Sequence, residues 1–137
     1  MRKANLFIGK HDWLVRVYIG TSREDVPEII SMLQSIGCSR NDVKRAKSNI
    51  TNGELDCGLT YSNGRMRMSV MVISNTSSAK EFLDSLVHEI MHLSIHIANA
   101  EYIELTSEEV CYIGGDVARS LYPICKDLLC CECNHAH

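Results

Sequence analysis

The sequence predicts an α+β domain in which helices cover one side of a small antiparallel sheet. Asn63-Gly64 separates two extended runs, and this dipeptide is the strongest short-range signal for a β-hairpin. Two helix-capping sequences follow the hairpin, and each precedes a long apolar helical pattern. The 137 residues are 45% apolar and 23% charged, which fits one compact domain over residues 1–137.

The first half of the chain predicts one strand and two helices. Residues 13–19 are rich in β-branched and aromatic residues, which favours a strand. Ser22 is a plausible N-cap for a helix that continues through Ile36 with its apolar residues on one face, and Gly37 ends it. Residues 39–46 predict a second, short and polar helix.

The hairpin and a central helix follow. Residues 55–61 and 66–73 are the two runs of the hairpin, and the second run is apolar enough to be covered on more than one face. Ser78 and Glu81 fit a capping box for a helix that reaches about Asn99. Its apolar residues lie on several sides, which is typical of a central, buried helix.

A final helix and a cysteine-rich tail complete the chain. Thr106 and Glu109 fit a second capping box, and Pro123 marks the predicted end of the helix. Residues 126–137 are rich in Cys and His, with Cys130 and Cys133 in C-x-x-C spacing. We interpret this tail as a flexible, adventitious metal binder, with a genuine second zinc or redox site as the alternative.

Charge and hydropathy exclude two classes of partner. The 14 basic and 17 acidic residues give a net charge of −3, whereas a nucleic-acid surface normally needs a basic excess. No apolar run approaches the roughly 20 residues that span a bilayer, and the apolar stretch near residue 4 is too short for a signal peptide. We therefore expect a cytoplasmic protein that binds neither nucleic acid nor membrane.

The central helix carries an H-E-x-x-H motif at His88, Glu89 and His92. Residues four apart in an α-helix lie about 40° apart around the axis and about 6 Å apart along it, so the two imidazoles can bind one Zn²⁺. Glu89 lies at the edge of that face, where it can act as general base on a metal-bound water. The alternative is a buried helix that carries two satisfied histidines.

A catalytic zinc usually has a third protein ligand, for which the final helix offers Glu108 and Glu109. As the third residue after Thr106, Glu109 can fold back to cap the helix, so we favour Glu108. Glu108 is alternatively an ordinary first-turn acid. Tyr112 is a candidate to polarise a carbonyl or a packed core residue, and His96 is a cleft residue or an ordinary core or surface histidine.

Residues 85–121 resemble the small zincin-type metallopeptidases with a glutamate third ligand, most closely the short H-E-x-x-H proteins of bacteriophages and prophages. A helical Glu lies four residues before a Tyr in those proteins, and Glu108 and Tyr112 match this spacing. The resemblance implies Zn²⁺ held by His88, His92 and Glu108, with Glu89 activating water.

The sequence therefore predicts a zinc-dependent hydrolase, a metallopeptidase that acts on a peptide or protein substrate. Two alternatives remain. One is a non-catalytic zinc-binding or regulatory module with a closed four-ligand site, in which His96 or a cysteine is the fourth ligand. The other is an interaction protein of phage type with a degenerate site.

Overall fold

The computed structural model describes residues 1–51 and 57–130. Four strands and four α-helices lie in these ranges, together with three short 3₁₀ turns at Gly9–His11, Arg23–Asp25 and Lys126–Leu129. The strands are β1 (Arg2–Ile8), β2 (Trp13–Thr21), β3 (Gly58–Asn63) and β4 (Met68–Ser74). The helices are α1 (Val26–Ser35), α2 (Arg40–Thr51), α3 (Ala79–Ala100) and α4 (Glu108–Cys125).

The α+β class and the β3–β4 hairpin are confirmed, but the sheet is mixed. Its strand order is β1-β2-β4-β3. The pairs β1/β2 and β3/β4 are antiparallel, whereas β2 and β4 run parallel. Parallel strands need a long crossover connection, and α1, α2 and β3 supply it here. The expectation of a wholly antiparallel sheet is therefore wrong, and β1 was not predicted.

Helices cover both faces of the sheet, so the prediction of one covered side is wrong. Alternate residues of β2 point to opposite faces, as strand geometry requires. Val15 and Val17 join α3 and α4 in one apolar cluster, while Tyr18 joins α1 and α2 in another. Residues 70–73 of β4 are buried throughout, which explains why this run lacks a clear polar alternation.

The central helix matches its prediction closely, and the final helix differs at both ends. Ser78 caps α3 by accepting a hydrogen bond from the backbone N–H of Glu81. The N-cap of α4 is Ser107, not Thr106, so the predicted second capping box is wrong. Pro123 lies inside α4, which continues to Cys125. In the first half, Ser22 caps the 3₁₀ turn that precedes α1.

The two N-cap serines are expected to differ in their contribution to stability. Replacing Ser78 by Ala removes a cap hydrogen bond and should cost about 1 kcal/mol of unfolding free energy. The hydroxyl of Ser107 is buried without a partner among the described residues, so Ser107→Ala should leave stability unchanged or raise it. Urea denaturation measures both variants, and equal losses would contradict this assignment.

The far end of α3 is fixed by a polar cluster around Glu101. One carboxylate oxygen lies 2.6 Å from His11 Nδ1, and the other accepts a hydrogen bond from Arg67 Nη2. Arg67 also donates to the backbone carbonyl of His11 and lies over the ring of Trp13. Glu101 therefore ties the end of α3 to the turn before β2 and to the β3–β4 hairpin.

None of the helices within residues 1–51 and 57–130 combines the length and the hydropathy of a membrane-spanning segment.

Candidate metal centre

His88 and His92 lie one turn apart on α3, and their rings meet in an edge-to-face arrangement. Their Nε2 atoms are 3.1 Å apart and their ring centroids are 4.7 Å apart. Two nitrogen ligands of one tetrahedral zinc, each about 2.0–2.1 Å from the ion, lie roughly 3.3 Å apart. Both rings are exposed, so an ion can reach them from solvent. The pair thus fits two positions of a common coordination sphere.

Glu89 is turned away from solvent and lies against the edge strand β3. The residue is only 4% exposed, and its Oε1 accepts a hydrogen bond of 2.8 Å from the Thr60 hydroxyl. Its Oε2 faces Gly58, where an added Cβ would lie 2.5 Å from that oxygen. A glycine at this position therefore leaves the space that the carboxylate occupies.

The described residues do not bring a third ligand to the histidine pair. Within these residues no group of three His, Cys, Asp or Glu side chains is arranged to hold an ion. Glu108 and Glu109 are both exposed in the first turn of α4. Their proposed roles stay predictions.

The packing of α4 explains why these carboxylates lie apart from the pair. A Cβ at Gly114 would lie 3.4 Å from Ser94 Oγ and 4.0 Å from Ile90 Cγ2, so α4 rests on that face of α3. Ile90 is two residues from both His88 and His92, which is a rotation of about 200° around the helix axis. The histidines therefore face nearly the opposite side of α3.

The side chain of Tyr112 is 63% exposed, which contradicts the alternative that it is a packed core residue. Its proposed chemical role stays a prediction.

The predicted flexible tail is partly ordered. Residues 126–129 form a 3₁₀ turn whose Leu128 and Leu129 pack against the core. Residues 131–137, with Cys133, lie outside the described residues.

His96 lies one turn beyond His92 and is half-buried beside β3. Its Nδ1 is 2.7 Å from Ser62 Oγ, which is 2.6 Å from Ser69 Oγ. Ser69 in turn accepts a hydrogen bond of 2.8 Å from Trp13 Nε1. Burial, and secondarily the neighbouring His92, lower the pKa of His96 and favour its neutral form.

Sequence reasoning missed the side chains that β3 and β4 contribute to the site. Thr60 and Ser62 alternate along β3 and both point to α3, where they contact Glu89 and His96. Small polar residues at alternate positions of a predicted strand, opposite an H-E-x-x-H helix, were the available signal. Ser69 gave no such signal, because its neighbours on β4 are all apolar.

A groove of about 690 Å³ runs along β3 between α2 and α3. In the described part of the chain β3 pairs with β4 alone, so β3 is an edge of the sheet. The strand β4 is not an edge, because it lies between β2 and β3. The residues that line the groove include Asp42, Arg45, Thr60, Tyr61, Ser62, His96 and Asn99.

A cysteine in the groove wall is a poor nucleophile. Burial raises the pKa of the Cys38 thiol, and the nearby carboxylate of Asp42 raises it further. The thiol form therefore dominates at neutral pH, whereas nucleophilic cysteines are thiolates. Among the described residues that line the groove, the charged, hydroxyl, imidazole and amide side chains remain as groups suited to binding.

Comparison with known proteins adds no relative. No protein-family model matches this chain, and neither the curated proteins nor the solved structures include a match to it. The interpretation of the site depends on its geometry and on the chemistry of its side chains.

Proposed function

We propose that this protein is a zinc-dependent hydrolase, specifically a metallopeptidase, whose metal is bound by His88 and His92. The observation that carries the proposal is the 3.1 Å separation of the two Nε2 atoms, with the carboxylate of Glu89 on the adjacent residue. Two neutral imidazoles on the same exposed face of a helix are suited to binding Zn²⁺. A bound zinc ion would supply a water of lowered pKa and polarise a carbonyl group.

Glu89 is the proposed general base. In peptide hydrolysis it would take the proton from the attacking water and return it to the leaving amine. Thr60 holds one carboxylate oxygen by donating a hydrogen bond to it. The other oxygen, which packs against Gly58, is the one that would accept the proton.

The edge of β3 is the proposed docking place for the substrate. An extended peptide can add to an exposed sheet edge through backbone hydrogen bonds. The groove along β3 passes Thr60, which binds Glu89, so a peptide in it would lie beside the proposed base. We propose a cytoplasmic location and a peptide or protein substrate, in keeping with the net charge of −3, which disfavours nucleic acid.

Glu108 is the proposed third ligand, and Glu109 is its alternative. The geometry supports the two-histidine part of the ligand set but not the carboxylate part, because α4 contacts the opposite side of α3. The zinc affinities of Glu108→Gln and Glu109→Gln distinguish the two carboxylates. A loss of affinity in one variant identifies the ligand, and unchanged affinity in both removes α4 from the site.

Zinc binding is tested by thermal unfolding with and without added Zn²⁺. At a free zinc concentration 100 times the dissociation constant, the native state should gain about 2.7 kcal/mol. His88→Ala and His92→Ala should lose this gain, because each removes one of the paired nitrogens. Met91→Ala, on an exposed position between them, is the control and should keep it. If zinc stabilises both histidine variants as much as it stabilises the wild type, the proposal is overturned.

A non-catalytic zinc-binding module is the second candidate. The burial of Glu89 favours it, since a purely structural ion needs no general base that solvent or substrate can reach. This candidate predicts that zinc stabilises the protein while Glu89 has no effect on any hydrolysis. Measuring zinc binding and peptide hydrolysis on the same preparation separates the two functions.

A further inference from the structure

We propose that hydrogen bonds running from Trp13 through Ser69 and Ser62 fix the tautomer of His96, so that its Nε2–H is a hydrogen-bond donor in the β3 groove. This N–H group would donate a hydrogen bond to a carbonyl oxygen of a bound peptide. The identity of the ligand rests on the proposed peptidase function. The tautomer itself does not, because it follows from contacts inside the protein.

The direction of the hydrogen bonds follows from the donors available. The indole Nε1–H of Trp13 can only donate, so the hydroxyl oxygen of Ser69 accepts from it. Ser69 is buried, and its own proton needs an acceptor. The acceptor in reach is Ser62 Oγ, at 2.6 Å. Ser69 therefore donates to Ser62.

The same reasoning extends to the imidazole. Ser62 Oγ accepts from Ser69, and its own proton is directed to His96 Nδ1 at 2.7 Å. An imidazole nitrogen that accepts a hydrogen bond carries no proton, so the proton of neutral His96 is on Nε2. This arrangement gives each hydroxyl proton in the series an acceptor.

The remaining ring nitrogen is directed away from Ser62. His96 is half-buried in the wall of the groove, and its Nε2 has no hydrogen-bond partner among the described residues. A protonated Nε2 has no lone pair for a metal, so His96 is not a zinc ligand in this tautomer. The closed zinc site with His96 as fourth ligand is thereby disfavoured, and His96 is assigned to ligand binding beside the histidine pair.

Ser62 and Ser69 are positioning residues in this scheme, and nuclear magnetic resonance of the metal-free full-length chain tests them. Long-range ¹H–¹⁵N correlation at pH about 8, where histidine is neutral, distinguishes the two tautomers of each ring. We expect His96 to be predominantly Nε2-protonated in the wild type. In Ser62→Ala this preference should fall to a mixture of tautomers, because Nδ1 loses its donor. Ser69→Ala should produce a smaller shift in the same direction.

Ser94→Ala is the matched control. Ser94 is also a buried serine near His96 on α3, but its hydroxyl donates to the backbone carbonyl of Ile90 on the side that contacts α4. The tautomer of His96 should not change in this variant. An Nδ1-protonated His96 in the wild type, or the same tautomer ratio in Ser62→Ala as in the wild type, overturns the proposal.

The ligand is tested with a defined probe, acetyl-tetra-alanine amide, added to the ¹⁵N-labelled wild type. We expect a downfield shift of the His96 Nε2–H resonance, which His96→Phe abolishes. No shift at millimolar probe overturns the assignment of a carbonyl ligand. Zinc titration of His96→Phe is a separate measurement, and zinc affinity should stay within a factor of about three of the wild type. A greater loss would make His96 a metal ligand and contradict the tautomer.

Failure of this inference differs from failure of the proposed function. If His88→Ala binds zinc as the wild type does, the proposed metal centre is wrong. The tautomer of His96 is still determined independently by the nuclear magnetic resonance experiment. If His88→Ala loses zinc while Ser62→Ala leaves the tautomer unchanged, the metal centre stands and the role of the serines falls. The two experiments therefore have independent outcomes.

Discussion

Glu89→Gln is expected to reduce peptide hydrolysis by the zinc-loaded protein by about 10²–10⁴-fold. Glutamine cannot take a proton from water, but its amide oxygen can still accept the hydrogen bond from Thr60. The fold and the zinc affinity should therefore be kept, since His88 and His92 are unchanged. The measurement is release of fluorescent fragments from labelled casein, with zinc content determined on the same sample.

Thr60→Val is a milder variant that tests the same role of Glu89. It removes the hydrogen bond that holds one oxygen of Glu89 while keeping the carboxylate itself. Activity should fall less than in Glu89→Gln, because the base is present but poorly oriented. Undiminished hydrolysis in Glu89→Gln would mean that another group takes the proton, and the proposed mechanism would then be wrong.

Gly58→Ala is expected to displace the carboxylate of Glu89. The new Cβ would lie 2.5 Å from Oε2 and 3.0 Å from both Cδ and Cγ of Glu89, so the side chain or the edge strand must shift. Overpacking of this kind costs about 1–3 kcal/mol of stability. Hydrolysis should be lost together with the hydrogen bond to Thr60, while the exposed histidine pair should still bind zinc.

Gly115→Ala is the matched control for this substitution. A Cβ at Gly115 meets no atom within 4 Å, and the residue lies inside α4. Alanine is the better helix former, so stability should rise by about 0.5–1 kcal/mol. Chemical denaturation compares the two variants. A Gly58→Ala protein as stable and active as the wild type would show that Glu89 does not occupy the position described.

Local patterns in the sequence predicted the elements whose signals are short-range. The hairpin around Asn63-Gly64 and the capped helix α3 depend on neighbouring residues, and both are confirmed. Strand β1 was missed because its apolar alternation is short and lies among polar residues. The parallel pairing of β2 with β4 depends on contacts about 55 residues apart, which no local pattern specifies.

In the candidate site, too, the features set by local spacing were predictable and those set by packing between elements were not. The spacing of His88 and His92 is a property of one helix, and the structure places their Nε2 atoms 3.1 Å apart, while their role as ligands stays a prediction. Glu108 was chosen from a capping pattern, but its distance from the pair depends on how α4 rests on α3. The contact between Thr60 and Glu89 joins two elements, so it became visible only with the fold.

The polar cluster around Glu101 bears on the metal affinity that is expected of the histidine pair. The 22 residues of α3 are capped by Ser78 at one end and tied by Glu101 to His11 and Arg67 at the other. A helix secured at both ends resists rotation about its axis, so the two imidazoles would already be positioned for the proposed zinc ion. Backbone freedom is then lost during folding and not during binding, which increases the affinity available from only a few ligand atoms.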